Sequence, residues 1–207
     1  MHRRYTAGMK RYDRDYFDHW YRGIAAGRSG AQRLGRKVAL AVATAEHHLE
    51  RPIRNVLDLG CGEGAWRAPL RTLRPDVDYL GFDSSEYAVR RFGARRNLHL
   101  ARFGDFRWLR PGEPVDLLVC SDVLHYVPAR ELREGLSGVT ELCRGVAWLE
   151  LFCRGDAFLG DTDGFIARPP AWYRRVFADA GLTACGNHAW LVPDLAGRAT
   201  ALELAGA

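Results

Sequence analysis

Apolar residues along this chain fall into two alternating periods. From Ser29 to Leu49 they recur at Leu34, Val38, Val42 and Ala45, close to every 3.6 residues, which predicts a helix with one buried face. Asn55–Leu59 is a short, almost wholly apolar run ending in glycine, and it reads as a buried strand. The same contrast repeats downstream. Strands are predicted over Val77–Asp83, Leu98–Phe103, Val115–Asp122 and Gly145–Phe152. Between them lie helical patterns over Ala65–Leu73, stopped before Pro75, over Glu86–Phe92 with Ser84 or Ser85 as N-cap, and over Ala129–Cys143. A last helix, Pro170–Ala180, starts near a proline and stops at Gly181; Leu182–Val192 and Ala199–Leu204 are then expected as the final two strands.

Strands that alternate with helices of this length build a mainly parallel sheet covered on both faces, with ligands bound at the carboxyl ends of its strands. The segment 193–198 is too short for a crossover helix, so the last pair of strands is expected to be antiparallel. The prediction is an α/β three-layer sandwich: a seven-stranded, mainly parallel sheet with one antiparallel terminal strand and helices on both faces.

The strand ends carry the chemistry. Strand one runs into Gly60-Cys61-Gly62-Glu63-Gly64, where missing Cβ atoms let the backbone turn sharply and approach a bulky polar ligand. Strand two ends in Asp83, nineteen positions beyond Gly64, the place where an acid binds ribose hydroxyls in dinucleotide folds. Gly104-Asp105-Phe106 follows the third apolar stretch, and the fourth strand ends in Ser121-Asp122.

With these motifs in order, the chain resembles the class I, Rossmann-like S-adenosylmethionine-dependent methyltransferases of the bacterial small-molecule type. The resemblance rests on Asp58 to Gly64, Gly81 to Ser85, Gly104 to Phe106 and Cys120 to Val127, and it covers roughly residues 50–205. It implies S-adenosylmethionine as cofactor, S-adenosylhomocysteine as product, and a division into an aromatic leader with its helix (1–50) and a cofactor-binding core (51–207). Asp83 and Ser84 would take the ribose, Asp58 with Gly60, Cys61 and Gly62 the methionine end, Asp105 and Phe106 the adenine, and Ser121 the methionine part from strand four. His125, just past that strand, is a candidate general base or a loop-holding residue; Tyr126 and Arg168 are expected to shape the acceptor pocket. The leader places Tyr12, Tyr16 and Trp20 at intervals of four, with Phe17, Tyr21 and Ile24 broadening an aromatic face, and resembles the family's lid; Tyr16 and Trp20 are its candidate cofactor contacts. The long segment Gly155 to Pro170 is expected to border the acceptor.

Composition trims the alternatives. A net charge of +5 invites a nucleic-acid substrate, but the arginines are scattered in ones and twos, and the fourth strand ends Ser121-Asp122-Val123-Leu124, unlike the turn of enzymes that methylate exocyclic base amines. Methylation of RNA or another nucleotide target stays open as a second reading, as does a non-catalytic cofactor-binding partner subunit. A dehydrogenase would explain the glycines and Asp83 while leaving Asp105 unused. Five cysteines with no C-x-x-C pair suit reduced, buried thiols; no apolar run spans a membrane, no secretory leader is seen, and a cytoplasmic location follows. No metal is expected, because displacement at an activated methyl group needs positioning above all.

Overall fold

The computed structural model describes residues 12–20, 28–157 and 161–204. Seven strands form one sheet in the order β3-β2-β1-β4-β5-β7-β6: β1 (Asn55–Leu59), β2 (Asp78–Asp83), β3 (Leu98–Leu100), β4 (Val115–Ser121), β5 (Cys143–Glu150), β6 (Thr183–Gly186) and β7 (Ala189–Leu191). The first five pair in parallel, and β7 runs antiparallel to both β5 and β6. The register aligns Asp58 with Gly81 and Val119, and Ser121 with Glu150, so the polar strand ends share one edge of the sheet.

Three expectations change here. Leu182–Val192 is a hairpin and not one strand: Asn187 and His188 adopt φ of 49° and 66°, the left-handed pair that a tight two-residue turn requires. Its second arm, Ala189–Leu191, is the reversed strand, so it lies second from the sheet edge, and no strand forms over Ala199–Leu204. That tail makes a 3-10 turn over Pro193–Arg198 and the short helix α7 (Ala201–Leu204). The third strand also ends at Leu100, and Phe103–Arg107 is a 3-10 turn.

Helices α2 (Arg28–Leu49), α3 (Arg67–Leu73) and α4 (Glu86–Arg96) cover one face; α5 (Ala129–Leu142) and α6 (Pro170–Asp179) cover the other. Strand alternation sorts the side chains: Val56, Leu117, Val119 and Trp148 meet Val38, Val42 and Leu70, while Leu57, Leu59, Leu118 and Leu149 belong to the core with Leu132, Leu136 and Phe177. A Cβ at Gly138 would lie 1.9 Å from the Phe106 carbonyl oxygen, so α5 and the 3-10 turn meet at a distance only glycine permits. That contact fixes where Asp105 stands. No described helix is long and apolar enough to cross a membrane.

At the amino end of β4 a fully buried Asp116 ties the sheet together. Its carboxylate accepts from Arg51 Nη2 at 2.7 Å, Arg144 Nε at 2.8 Å and the Arg54 amide at 2.8 Å. Burial alone would push this carboxyl up; the donors outweigh it and hold it at about 2. Removing one partner of a buried ionic cluster strands the others, so Asp116→Ala should lose about 3 kcal/mol in urea unfolding at neutral pH. A loss under about 1 kcal/mol would mean that water replaces the carboxylate without penalty.

Candidate functional site

The glycine turn is stitched onto β2. Gly60 and Cys61 donate their amides to the Phe82 carbonyl at 2.7 and 3.0 Å, Gly64 donates to Cys61 O at 2.8 Å, and Arg96 of α4 donates to Glu63 O. Gly60, Gly62 and Gly64 have φ of 73°, 55° and 74°, and a Cβ at Gly60 would sit 2.5 Å from a Val123 methyl carbon. The β4–α5 connection thus closes directly over the turn.

Asp83 completes the stitching. One oxygen accepts the Gly62 amide at 2.7 Å and the other the Ser85 amide at 2.7 Å. Ser85, rather than exposed Ser84, is the cap of α4, accepting from the Ala88 amide. Asp58 lies on the neighbouring strand, 2% exposed, with Tyr79 Oη donating to it at 2.7 Å. Burial pushes both carboxyls up, Asp58 to about 7, and the charge of Asp83 adds to the rise at Asp58. Neither carboxylate pairs with a basic side chain among the described residues. Two buried acids beside a glycine turn, lacking a cation, fit a ligand that brings positive charge and hydroxyl donors.

Asp105 lies farther along the same edge, its Oδ2 accepting the Arg102 amide at 2.8 Å. The Phe106 ring is buried in the core, edge-on to Phe82 at 5.2 Å, which leaves the backbone N–H as the other contact expected of it.

The leader reaches this edge. Asp13 caps α1 (Arg14–Phe17) through the Tyr16 amide, Ser85 Oγ donates to Tyr12 O at 2.6 Å, and Phe17 stacks on Tyr87 at 5.7 Å. Burial, then the charges of Asp83, Asp161 and Asp163, push the Tyr12 hydroxyl up to about 12. Tyr16 and Tyr126 are also raised, first by burial and then by charged neighbours that include Asp161 for both. These three tyrosines therefore border one site with the strand-end acids. Trp20 packs edge-on against His19, and Tyr21 and Ile24 lie outside the described residues.

His125, Tyr126 and Arg168 lie together where the β4–α5 connection meets the segment after β5. The fully buried His125 accepts the Phe152 amide on Nδ1 at 3.3 Å, its carbonyl accepts the Ile166 amide at 2.9 Å, and its ring lies among Tyr126, Phe152 and Phe165. Tyr126 donates to Asp161 O at 2.7 Å. Arg168 donates to Val127 O at 2.8 Å and to Tyr173 Oη at 3.1 Å, with its guanidinium over the Trp172 ring. Three consecutive residues of the β4–α5 connection pin the segment that follows β5. Of the two roles expected of His125, the contact on Nδ1 is the loop-holding one. Residues 158–160 of that segment lie outside the described residues.

Ser121 lies in a cluster that the sequence reading did not anticipate. Its hydroxyl donates to Glu150 Oε2 at 2.5 Å, and Lys37 of α2 approaches Glu150 Oε2 at 2.5 Å and Asp122 Oδ2 at 3.4 Å. The available signals were weak: Glu150 is a strand-end acid like Asp83, and Lys37 is one of only two lysines.

Comparison with known proteins agrees with this geometry. Residues 57–149 match the family model described as a methyltransferase domain. The trans-aconitate 2-methyltransferase of Mycolicibacterium gilvum (strain PYR-GCK) is 29% identical over 180 residues, covering 75% of this chain and 68% of that one. An amino pentose methyltransferase from Micromonospora echinaspora superposes with a TM-score of 0.63 at 16% identity, covering 89% of this chain and 99% of that one. An O-methyltransferase family protein from Burkholderia thailandensis gives 0.54 at 22% identity; the match covers 87% of this chain but only 61% of that one. Together the sheet order and the structural likeness give the chain the fold of the class I, Rossmann-like methyltransferases, and residues 57–149, which carry the glycine turn and the strand-end acids, match the methyltransferase-domain family.

Proposed function

We propose that the protein moves the methyl group of S-adenosylmethionine onto a small-molecule acceptor by in-line displacement. The observation that carries this reading is the pair of buried acids, Asp58 and Asp83, set against the glycine turn with no basic partner among the described residues. Asp83 would accept the ribose hydroxyls while keeping its two backbone donors, Asp58 would face the ammonium of the methionine end, and Asp105 would accept from the adenine amino group. The bound cofactor supplies the activated methyl group; the chain supplies alignment and exclusion of water. Tyr12 and Tyr16, drawn to β2 through Ser85, would cover the cofactor, and His125, Tyr126 and Arg168 would hold the acceptor-side segment in place. The arginine surplus gives little support to a nucleic-acid target, since Arg90, Arg107, Arg110 and Arg130 each lie within ion-pair distance of a glutamate.

Three measurements test this. Hydrogen bonds to a charged acceptor contribute roughly 1.5–3 kcal/mol each, so Asp83→Asn should weaken adenosylmethionine binding at least tenfold in calorimetry while circular dichroism reports an intact fold; unchanged affinity removes Asp83 from the site.

The second concerns pH. A cation beside Asp58 favours its ionised form, so binding should release a proton and affinity should rise about tenfold from pH 6 to pH 8, through the folded value of about 7. In the free protein the sign is opposite. A carboxyl raised above its unfolded value makes its stabilising contribution at low pH and loses it as pH rises from about 4 to about 7. Asp58→Asn should flatten both dependences, and a wild-type affinity that is level across this range contradicts the assignment.

The third concerns the leader. Deleting residues 1–21 should reduce cofactor affinity more than it lowers the melting temperature; equal affinity in the truncated protein makes the aromatic stripe a packing element only.

A further inference from the structure

The cluster at the ends of β4 and β5 is not explained by cofactor binding alone. Ser121 and Glu150 are register partners, and both project toward α2, where Lys37 stands. Glu150 Oε2 takes both strong contacts, from the Ser121 hydroxyl and the Lys37 ammonium, each at 2.5 Å. Its Oε1 accepts no hydrogen bond among the described residues, yet it is not among the buried unpartnered atoms, so it keeps contact with solvent. One oxygen is pinned and the other is presented. The Glu150 side chain is only 14% exposed, so what it presents is a partly desolvated, oriented carboxylate.

Charge narrows what this oxygen can meet. Lys37 lies against two carboxylates, Glu150 and Asp122, leaving the cluster one negative charge in excess. Among the described residues, the charged side chains that act on Tyr12, Tyr16 and Tyr126 at this edge are Asp83, Asp122, Asp161 and Asp163, all acidic, and Arg168 is committed to Val127 and Tyr173. An acceptor bearing carboxylates would set like charge against Glu150 and Asp122. An ammonium would be attracted, and the tyrosine rings would favour it further.

We propose that the methyl acceptor is an amine and that Glu150 Oε1 is the atom that receives it. This rests on the methyltransferase reading and deepens it. The amine arrives as R–NH3⁺, hydrogen-bonded to Oε1, and passes one proton to Glu150, which frees the nitrogen lone pair. The N–C bond then forms as the S–C bond breaks, its electron pair leaving with the sulfur; the products are R–NH2⁺–CH3 and neutral S-adenosylhomocysteine, and Glu150 returns its proton to solvent. Ser121 and Lys37 are positioning residues that hold the other oxygen.

The test measures S-adenosylhomocysteine formation with phenethylamine, tyramine and glucosamine as amines and trans-aconitate as carboxylate, alongside calorimetry of S-adenosylhomocysteine binding. Wild type should turn over at least one amine in preference to trans-aconitate. Glu150→Gln should lower kcat/KM for that amine at least tenfold with S-adenosylhomocysteine affinity unchanged within twofold, and Glu150→Asp should retain more activity than Glu150→Gln. Faster turnover of trans-aconitate, silence of every amine, or a Glu150→Gln enzyme equal to wild type overturns the amine assignment while leaving the methyltransferase reading standing. If wild type fails to bind S-adenosylhomocysteine at all, it is that reading which fails, and this one falls with it.

Discussion

The two-handed grip of Asp83 is the constraint on which the site depends. A single carboxylate at the end of β2 receives the Gly62 amide on one oxygen and the Ser85 amide on the other. The first bond sets the path of the glycine turn; the second sets the start of α4, and Ser85 in turn reaches the leader through Tyr12. Turn, helix and leader are thereby referred to one group. On the proposed reading the group that organises the site in the free protein would also recognise the ribose, so little rearrangement would accompany binding.

The chain uses buried aspartates in two opposite ways. Asp116, at the amino end of the sheet, is surrounded by Arg51 and Arg144 and held far down the acid range; among the described residues Asp58 and Asp83, at the carboxyl end, meet hydroxyl and amide donors and are pushed up. Burial acts in the same direction on all three, so the difference lies in the partners. The fold completes the charge balance at the amino end of the sheet and leaves it incomplete at the carboxyl end, where the proposed function places a cationic ligand. The Lys37 cluster is an intermediate case: one base shared by two acids orients Glu150 without neutralising the pair.

Most of the fold was legible because its signals are local. Strand runs such as Val115 to Cys120, the glycine turn and the proline near the start of α6 each announce themselves within a few residues. The carboxyl-terminal region was harder to read. A two-residue turn at Asn187-His188 interrupts an otherwise apolar run, and the reversed strand needs only Ala189–Leu191, so pattern alone carried the strand too far and invented another at Ala199. The strand-end positions of Asp58 and Asp83 could be read from spacing, whereas Tyr79 beneath Asp58, Lys37 beside Glu150 and Val123 over Gly60 are contacts across strands and helices distant in sequence. His125 shows the limit from the other side: its place after β4 left a base and a loop-holding residue as equal readings, and only the fold brings the Phe152 amide to its Nδ1.

The central claim is that the glycine turn and its two unneutralised acids are built for a cationic adenosine ligand. Native mass spectrometry of the purified, folded protein mixed with equimolar S-adenosylmethionine and NAD tests it most directly. The account predicts a one-to-one complex with adenosylmethionine, or with co-purified adenosylhomocysteine, and none with the dinucleotide. Retention of NAD, or of neither ligand, would contradict it.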